Sequence, residues 1–180
     1  ALGEVLLARH GGLRGLARVG PGELVATTGV GRAKGASVLA ALELGRRVAT
    51  RRLRAGDSVR SPADVHRHFH PRLRDAPHER FLVLLLDGRH RVSREVLTSQ
   101  GTLTASLVHP REVFQEAVVS RAASLVLFHN HPSGDPEPSA EDLALTRRLA
   151  AAGTLMGIEV LDHLVLGAGR FVSLKERGVL

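Results

Sequence analysis

The chain has 180 residues, is 43% hydrophobic and contains no cysteine, which allows one or two globular domains and excludes a disulfide scaffold. Its formal net charge of +7 lies in residues 1–60, which hold 11 Lys and Arg against 4 Asp and Glu, whereas residues 61–180 hold 14 of each. The lack of cysteine fits a cytoplasmic protein, which we expect. No apolar run approaches the roughly 20 residues that span a bilayer, so we expect no membrane contact. The absence of an initiator Met predicts a fragment.

Residues 1–54 are predicted to form a small helical module, because apolar residues recur at helical spacing in short stretches separated by glycine and proline. The Gly-Val-Gly sequence at 29–31 is typical of a helix-hairpin-helix motif, in which small residues let DNA phosphates approach the N–H groups of the following helix. With the positive charge of this region, the motif predicts DNA contacts at Gly29, Gly31, Arg32 and Lys34. The alternatives are a protein-docking module and an Arg-rich helix that merely faces solvent.

Residues 55–60 are predicted to be a linker, and residues 61–180 a second domain. A helix is expected over 62–68, with His66, His68 and His70 either solvated or forming a second metal site, of which we favour the former. Apolar runs predict strands at 81–86, 92–97, 102–108, 125–129, 158–166 and 171–174, and helical spacing predicts helices at 110–124 and 139–151. The second domain is therefore expected to be α/β (α+β), with a mixed sheet flanked by helices.

The most informative stretch follows the strand predicted at 125–129. His129 and His131 are two residues apart, so both point to the same side of an extended chain. Ser139 stands where a helix begins, and Asp142 lies one turn further on, where it can approach the same point. Two imidazoles and one carboxylate suit Zn²⁺ and leave a fourth position open. Alternatively, Ser139 and Asp142 form only a helix-capping box and the histidines belong to a polar loop.

This stretch resembles the signature of the JAMM (MPN+) metalloprotease superfamily, and its surroundings resemble the bacterial RadC proteins. The resemblance extends over almost the whole chain and rests on the sequences at 29–34, 42–47, 101–103, 109–112, 129–136, 138–142 and 161–163. It implies a JAMM/MPN domain preceded by a helix-hairpin-helix region. The closing Asp162-His163 pair is expected to be a satisfied core or edge pair, with orientation of a zinc ligand as the alternative.

The resemblance also implies roles for individual residues. His129, His131 and Asp142 would bind one catalytic zinc ion, and Ser139 would hydrogen-bond the attacking water or the developing oxyanion. A Glu ahead of an apolar strand would act as the base, and Glu79 matches that position, with Glu95 as the runner-up. The implied reaction is hydrolysis of an amide or isopeptide bond in a protein or peptide substrate, linked to DNA repair. The alternative is a DNA-associated accessory protein or a metal-dependent nuclease without peptidase activity.

Overall fold

The computed structural model describes residues 2–17, 19–49, 53–74, 76–101 and 108–180. The chain divides into two compact units, unit 1 at Ala1–Arg51 and unit 2 at Arg52–Leu180. The residues predicted as a linker belong to unit 2, where Gly56 and Asp57 exchange backbone hydrogen bonds of 2.8 Å with Val92. Within the described part of the chain, no helix combines the length and apolar character needed to cross a membrane.

In its described residues, unit 1 contains four helices around a small apolar core made by Leu6, Leu16, Leu24 and Val30. Gly29 adopts a left-handed φ of 85° in the turn between the third and fourth helices, a conformation that glycine adopts without steric cost. The bounds are Leu2–Arg9 for α1, Leu13–Leu16 for α2, Pro21–Val25 for α3 and Arg32–Ala49 for α4.

Unit 2 contains a five-stranded mixed sheet in the order β2-β1-β3-β4-β5. Strands β3 and β4 are parallel, and the other neighbouring pairs are antiparallel. The strand predicted at 102–108 falls on residues outside those described, except for residue 108. The bounds are Pro62–Leu73 for α5, Glu79–Leu86 for β1, Val92–Gly101 for β2, Pro110–Val119 for α6, Ser124–Asn130 for β3, Ala140–Met156 for α7, Glu159–Leu166 for β4 and Phe171–Ser173 for β5.

Helices cover both faces of this sheet, which explains why β1 and β3 are almost continuously apolar. Helix α5 packs on one face, where Phe69 and Phe128 meet with ring centroids 4.1 Å apart. Helices α6 and α7 pack on the other face, where Phe114 and Leu149 lie against alternate residues of β1 and β3. The predicted mixed sheet flanked by helices is confirmed.

Helix α5 is part of this layered core, and the prediction that its histidines are solvated is wrong. His66, His68 and His70 are all half-buried. The ring of His66 lies 5.0 Å from that of Phe171, and the ring of His68 lies 4.9 Å from that of Phe69. Apolar burial of this helix against the sheet brings the histidines inward with it.

Candidate metal centre

The end of β3 presents two imidazoles to one side of the sheet. His129 is the next-to-last residue of β3 and is fully buried, while His131 follows the strand and retains 17% side-chain exposure. His131 is held in place because its backbone N–H donates to the carbonyl of Leu166, and its Nδ1 lies 2.8 Å from the carbonyl oxygen of Asp135. A carbonyl oxygen can only accept, so Nδ1 of His131 carries a proton, and Nε2 faces inward toward His129 and Asp142.

The first turn of α7 supplies the third group. Ser139 is the N-cap, and a capping box joins it to Asp142: the Ser139 hydroxyl accepts from the Asp142 N–H, and Oδ2 of Asp142 accepts from the Ser139 N–H at 2.8 Å. The hydroxyl of Ser139 also donates to Oδ2 at 2.7 Å. These bonds fix the carboxylate orientation and leave Oδ1 pointing toward His129. Helix capping and ligand placement are therefore two results of the same hydrogen bonds.

The three groups converge at the spacing that a tetrahedral metal site requires. Nε2 of His129 lies 3.1 Å from Nε2 of His131 and 3.4 Å from Oδ1 of Asp142, and His131 lies 3.6 Å from Oδ2. For zinc bonds of 2.0–2.1 Å, tetrahedral ligand atoms are roughly 3.3 Å apart. Among the described residues, these three form the one group of His, Cys, Asp or Glu whose ligand atoms all lie within 4.8 Å of one another. The donor set fits a zinc ion.

The protonation states of the three groups follow from burial and from their mutual contacts. Complete burial lowers the pKa of His129 to about 4, so its imidazole is neutral. Although burial opposes ionisation of Asp142, its contact with His131 and the hydrogen bonds from Ser139 hold its pKa well below the usual range. The nearby carboxylate of Asp142 raises the pKa of His131 above its ordinary value. A proton on His131 therefore competes with a metal for the same pair of electrons.

A second carboxylate, that of Glu79, stands beside this group without joining it. Glu79 is the first residue of β1, and the antiparallel pairing of β1 with β3 brings it to the end of β3 where His129 lies. Its Oε1 is 4.0 Å from Nε2 of His129, farther than the three candidate ligands are from one another. Burial and the nearby charge of Asp142 raise the pKa of Glu79. The two carboxylates thus have opposite pKa shifts within one site.

Asn130 holds the backbone on both sides of Glu79. Its Oδ1 accepts from the N–H of Arg80 at 3.0 Å, and its Nδ2 donates to the carbonyl of His78 at 3.3 Å. Asn130 lies between the two histidines in sequence and faces away from the metal group. Its side chain fixes the start of β1, the strand that carries Glu79.

The loop after β3, residues 131–138, is here named the metal loop, and it packs closely on the turn between β4 and β5. The N–H of Ala168 donates to the carbonyl of Gly134 at 2.7 Å. A Cβ at Gly167 would lie 2.5 Å from that same oxygen and 2.7 Å from the ring of Pro136. The absence of a side chain at Gly167 is therefore required for the metal loop to reach its position.

Comparison with known proteins places this fold and donor set in a family. Residues 59–179 match the model of the RadC-like JAB domain. The chain is 48% identical over 179 residues to a UPF0758 protein of Geotalea uraniireducens and 51% identical over 178 residues to one of Syntrophotalea carbinolica. Each alignment covers 99% of this chain and 78% of the relative. This chain belongs to the RadC-like JAB domain family. A UPF0758 protein of the archaeon Methanosarcina mazei is 44% identical over 156 residues, which are 87% of this chain and 68% of that protein.

Within this RadC-like domain, the structure brings Glu79, His129, His131, Ser139 and Asp142 together as the sequence predicts. The family resemblance is confirmed, and the donor set fits a JAMM-type metal-dependent hydrolase. The hydroxyl proton of Ser139 already bonds Asp142, so its first effect is on the ligand carboxylate. Its predicted contact with water or an oxyanion stays a prediction.

The runner-up base, Glu95, lies elsewhere in the RadC-like domain. Glu95 lies on β2, opposite Leu84 of β1, and accepts two hydrogen bonds, of 2.6 and 2.8 Å, from the guanidinium of Arg72 on α5. The side chains of Arg72 and Glu95 are only 17% and 16% exposed. Glu95 therefore joins α5 to the sheet and does not face the metal group. Its partner is Arg72 and not its sequence neighbour Arg94, which pairs with Glu116 at 2.7 Å.

Two buried polar residues, His163 and Thr146, lie next to Nδ1 of His129, the ring nitrogen that does not face His131 and Asp142. Nε2 of His163 lies 2.9 Å from Nδ1 of His129, and Nδ1 of His163 lies 2.6 Å from the hydroxyl of Thr146. Burial lowers the pKa of His163 well below its ordinary value. The expectation of a satisfied core pair fits Asp162, which bonds Ser173 at 2.6 Å. It does not describe His163, which contacts a candidate ligand.

Thr146 was not predicted from the sequence. It lies four residues after Asp142 on α7, so both side chains lie on the same face of the helix. The signal available in the sequence was the Thr146 hydroxyl, one helical turn beyond the candidate ligand Asp142. That spacing alone also fits any Thr bonded to its own helix.

The residues predicted to contact DNA lie at the start of α4 in unit 1. Gly31, Arg32 and Lys34 are exposed, and the first turn of α4 contains no acidic residue. The ammonium group of Lys34 donates to the carbonyl of Gly29 at 3.3 Å across the turn. The start of α4 therefore places two exposed cations, Arg32 and Lys34, with no acidic residue in the same turn.

Proposed function

We propose that this RadC-like chain is a zinc-dependent peptidase that hydrolyses amide or isopeptide bonds of a protein or peptide substrate. The observation that carries the proposal is the separation of two carboxylates in one site. Asp142 is held by hydrogen bonds as a ligand, whereas Glu79 stands 4.0 Å from the ligand nitrogen of His129 with a raised pKa. Pairs of titratable groups with opposite pKa shifts are typical of general acid–base catalysis.

When bound at His129, His131 and Asp142, a zinc ion would polarise a carbonyl group and acidify water near neutral pH. The chain supplies the proton transfer. Burial makes Glu79 a stronger base than an exposed carboxylate, so Oε1 takes the proton of the attacking water and, once protonated, gives it to the leaving amine. Asn130 holds the backbone around Glu79, and Ser139 holds Asp142, so both carboxylates keep their places during the reaction.

The proposal is tested by Glu79→Gln, with Glu141→Gln as the control. Glu141 is an exposed carboxylate on the first turn of α7, next to the ligand Asp142. Glu79→Gln is expected to retain zinc and to lose at least 10²-fold in hydrolysis of isopeptide-linked and peptide substrates. Glu141→Gln is expected to retain both. Hydrolysis by zinc-loaded Glu79→Gln at the wild-type rate would remove Glu79 as the base.

The second candidate function is that of a metal-dependent nuclease or a DNA-associated accessory protein, and the positive charge of residues 1–60 favours it. The same preparations distinguish the two. Nicking of DNA that His129→Leu abolishes, together with no cleavage of any peptide, would replace the peptidase with a nuclease. Peptide cleavage that depends on Glu79 supports the peptidase.

We also propose that unit 1 contacts DNA phosphates, as a helix-hairpin-helix module would, and so links the enzyme to DNA repair. The support is the exposed N-terminal turn of α4 with Arg32 and Lys34 and without acidic residues. DNA affinity of the full chain should fall steeply with salt, and the double substitution Arg32→Gln, Lys34→Gln should weaken binding and lower the salt slope. An unchanged affinity and slope would remove unit 1 from the DNA interface.

A further inference from the structure

Thr146 and His163 lie behind His129, and both are completely buried. Thr146 belongs to α7 and His163 to β4, so only the folded unit brings them together. We propose that Thr146 and His163 are positioning residues that fix the proton of His129 on Nδ1 and thereby keep Nε2 free to bind the metal. The inference rests on the metal-binding part of the proposed function and does not require peptidase activity.

The argument begins at an atom that can only accept a hydrogen bond. The hydroxyl of Thr146 lies 2.6 Å from the backbone carbonyl oxygen of Asp142. Because a carbonyl oxygen has no proton, the single proton of Thr146 points to it. The hydroxyl oxygen of Thr146 is then an acceptor toward Nδ1 of His163, 2.6 Å away. Nδ1 of His163 must therefore carry a proton.

The same reasoning continues to the ligand. A neutral imidazole has one N–H, so with Nδ1 protonated, Nε2 of His163 is an acceptor. That atom lies 2.9 Å from Nδ1 of His129, which must be the donor. The proton of His129 is consequently on Nδ1, and its Nε2 offers a lone pair toward His131 and Asp142. Three hydrogen bonds, all pointing toward one carbonyl oxygen, select one tautomer of the ligand.

The two ligand histidines reach this state by different routes. His131 donates from Nδ1 directly to the carbonyl of Asp135 in the metal loop. His129 lies in the interior, where its Nδ1 faces β4. Its Nδ1 donates to His163, His163 donates to Thr146, and Thr146 donates to the carbonyl of Asp142; these three hydrogen bonds form a relay that ends on a carbonyl oxygen. None of the side-chain nitrogen or oxygen atoms of His129, His163 and Thr146 is among the buried polar atoms that lack a partner.

A simpler interpretation is that Thr146 bonds only its own helix and that His163 only fills the core. The contact of 2.6 Å between their side chains contradicts that separation. Without the hydroxyl, Nδ1 of His163 loses its acceptor, whereas Oδ1 of Asp142, 3.4 Å from Nε2 of His129, can still accept a proton from the other tautomer. In the reversed pair, Nε2 of His163 donates to Nδ1 of His129, and the proton of His129 occupies the nitrogen that must bind the metal.

The experiment compares Thr146→Val, which has nearly the same shape but no hydroxyl, with Thr146→Ser, which keeps the hydroxyl. Zinc affinity of the full chain is measured by competition with a chromophoric chelator, and circular dichroism verifies that both variants are folded. Thr146→Val should bind zinc about 10–100-fold more weakly than wild type, as expected for loss of an outer hydrogen-bond partner of a ligand. Thr146→Ser should bind it close to the wild-type affinity.

The tautomer itself is measured in the metal-free protein by ¹H–¹⁵N spectra of the histidine side chains at neutral pH. The wild type should show His129 protonated on Nδ1, and Thr146→Val should shift the proton toward Nε2. A wild-type His129 protonated on Nε2 would overturn the inference without any variant, as would an unchanged zinc affinity in folded Thr146→Val. A chain that binds zinc as described but cleaves no peptide would overturn the proposed peptidase alone.

Discussion

Acid should destabilise the metal-free protein because His129 is buried without charge. Burial lowers the pKa of His129 from 6.5 to about 4. Below pH 6.5 the unfolded chain binds a proton that the folded chain does not accept until about pH 4, so this contribution to stability is present at neutral pH and is lost as pH falls through that window. Between pH 7 and 4.5, the loss from this one group is about 2 kcal/mol.

Two neighbouring histidines modify the size of this effect. The pKa of His163 is also lowered by burial, so protonation of His163 in the unfolded chain adds to the acid-induced loss of stability. The pKa of His131 is raised by the nearby carboxylate of Asp142, so His131 gains stability as pH falls and offsets part of the loss. The comparison of variants is therefore more informative than the total.

Urea unfolding followed by far-ultraviolet circular dichroism in the presence of a chelator measures the effect, since the chain has no Trp or Tyr for fluorescence. His129→Leu should lose about 2 kcal/mol less stability than wild type between pH 7 and 4.5. His90→Asn is the control, because His90 is exposed in a turn at φ 55°, which Asn tolerates. An equal acid-induced loss in wild type and His129→Leu would refute the reasoning.

Three further substitutions test how the site is held. Gly167→Ala should weaken zinc binding and lower the free energy of unfolding by about 1–3 kcal/mol, because its Cβ would lie 2.5 Å from a carbonyl oxygen of the metal loop. Gly88→Ala is the control: its Cβ would have nothing within 4 Å, so zinc affinity and stability should both stay unchanged. Glu95→Gln should lower the free energy of unfolding by about 1–3 kcal/mol because it weakens the bond to Arg72. A loss of peptide hydrolysis in stable, zinc-loaded Glu95→Gln would return Glu95 to the candidate bases. Asn130→Ala should slow peptide hydrolysis with zinc still bound, and an unchanged rate would show that another contact positions the start of β1.

The parts of the fold that could be predicted are those with strong local patterns. The apolar runs of β1 and β3 are readable because both faces of the sheet are covered by helices, so nearly every side chain is buried. The start of α7 was predictable from Ser139 and its spacing to Asp142. The ends of helices were less predictable: α5 continues beyond residue 68 to Leu73, with Pro71 inside it, because Phe69 and Leu73 are buried against the sheet.

The residues of the candidate site likewise fall into two groups, those that local sequence patterns predict and those that depend on contacts between distant segments. His129, His131 and Asp142 are close in sequence, and a capping box places the carboxylate, so local reasoning brings them together. Glu79 was found only through family resemblance, since the antiparallel pairing of β1 and β3 that brings it to His129 joins distant segments. The relay through Thr146 and His163 depends on how α7 and β4 pack in three dimensions, and no short motif records it.

The most direct test of the central claim is the metal itself. A crystal of the full chain grown with zinc should give one anomalous scattering peak per chain, within about 2.0–2.2 Å of Nε2 of His129, Nε2 of His131 and a carboxylate oxygen of Asp142. Asp142→Asn should reduce zinc content in solution while the fold, followed by circular dichroism, is retained. Absence of that peak, with the three side chains ordered, or a peak bound by other residues would contradict the account.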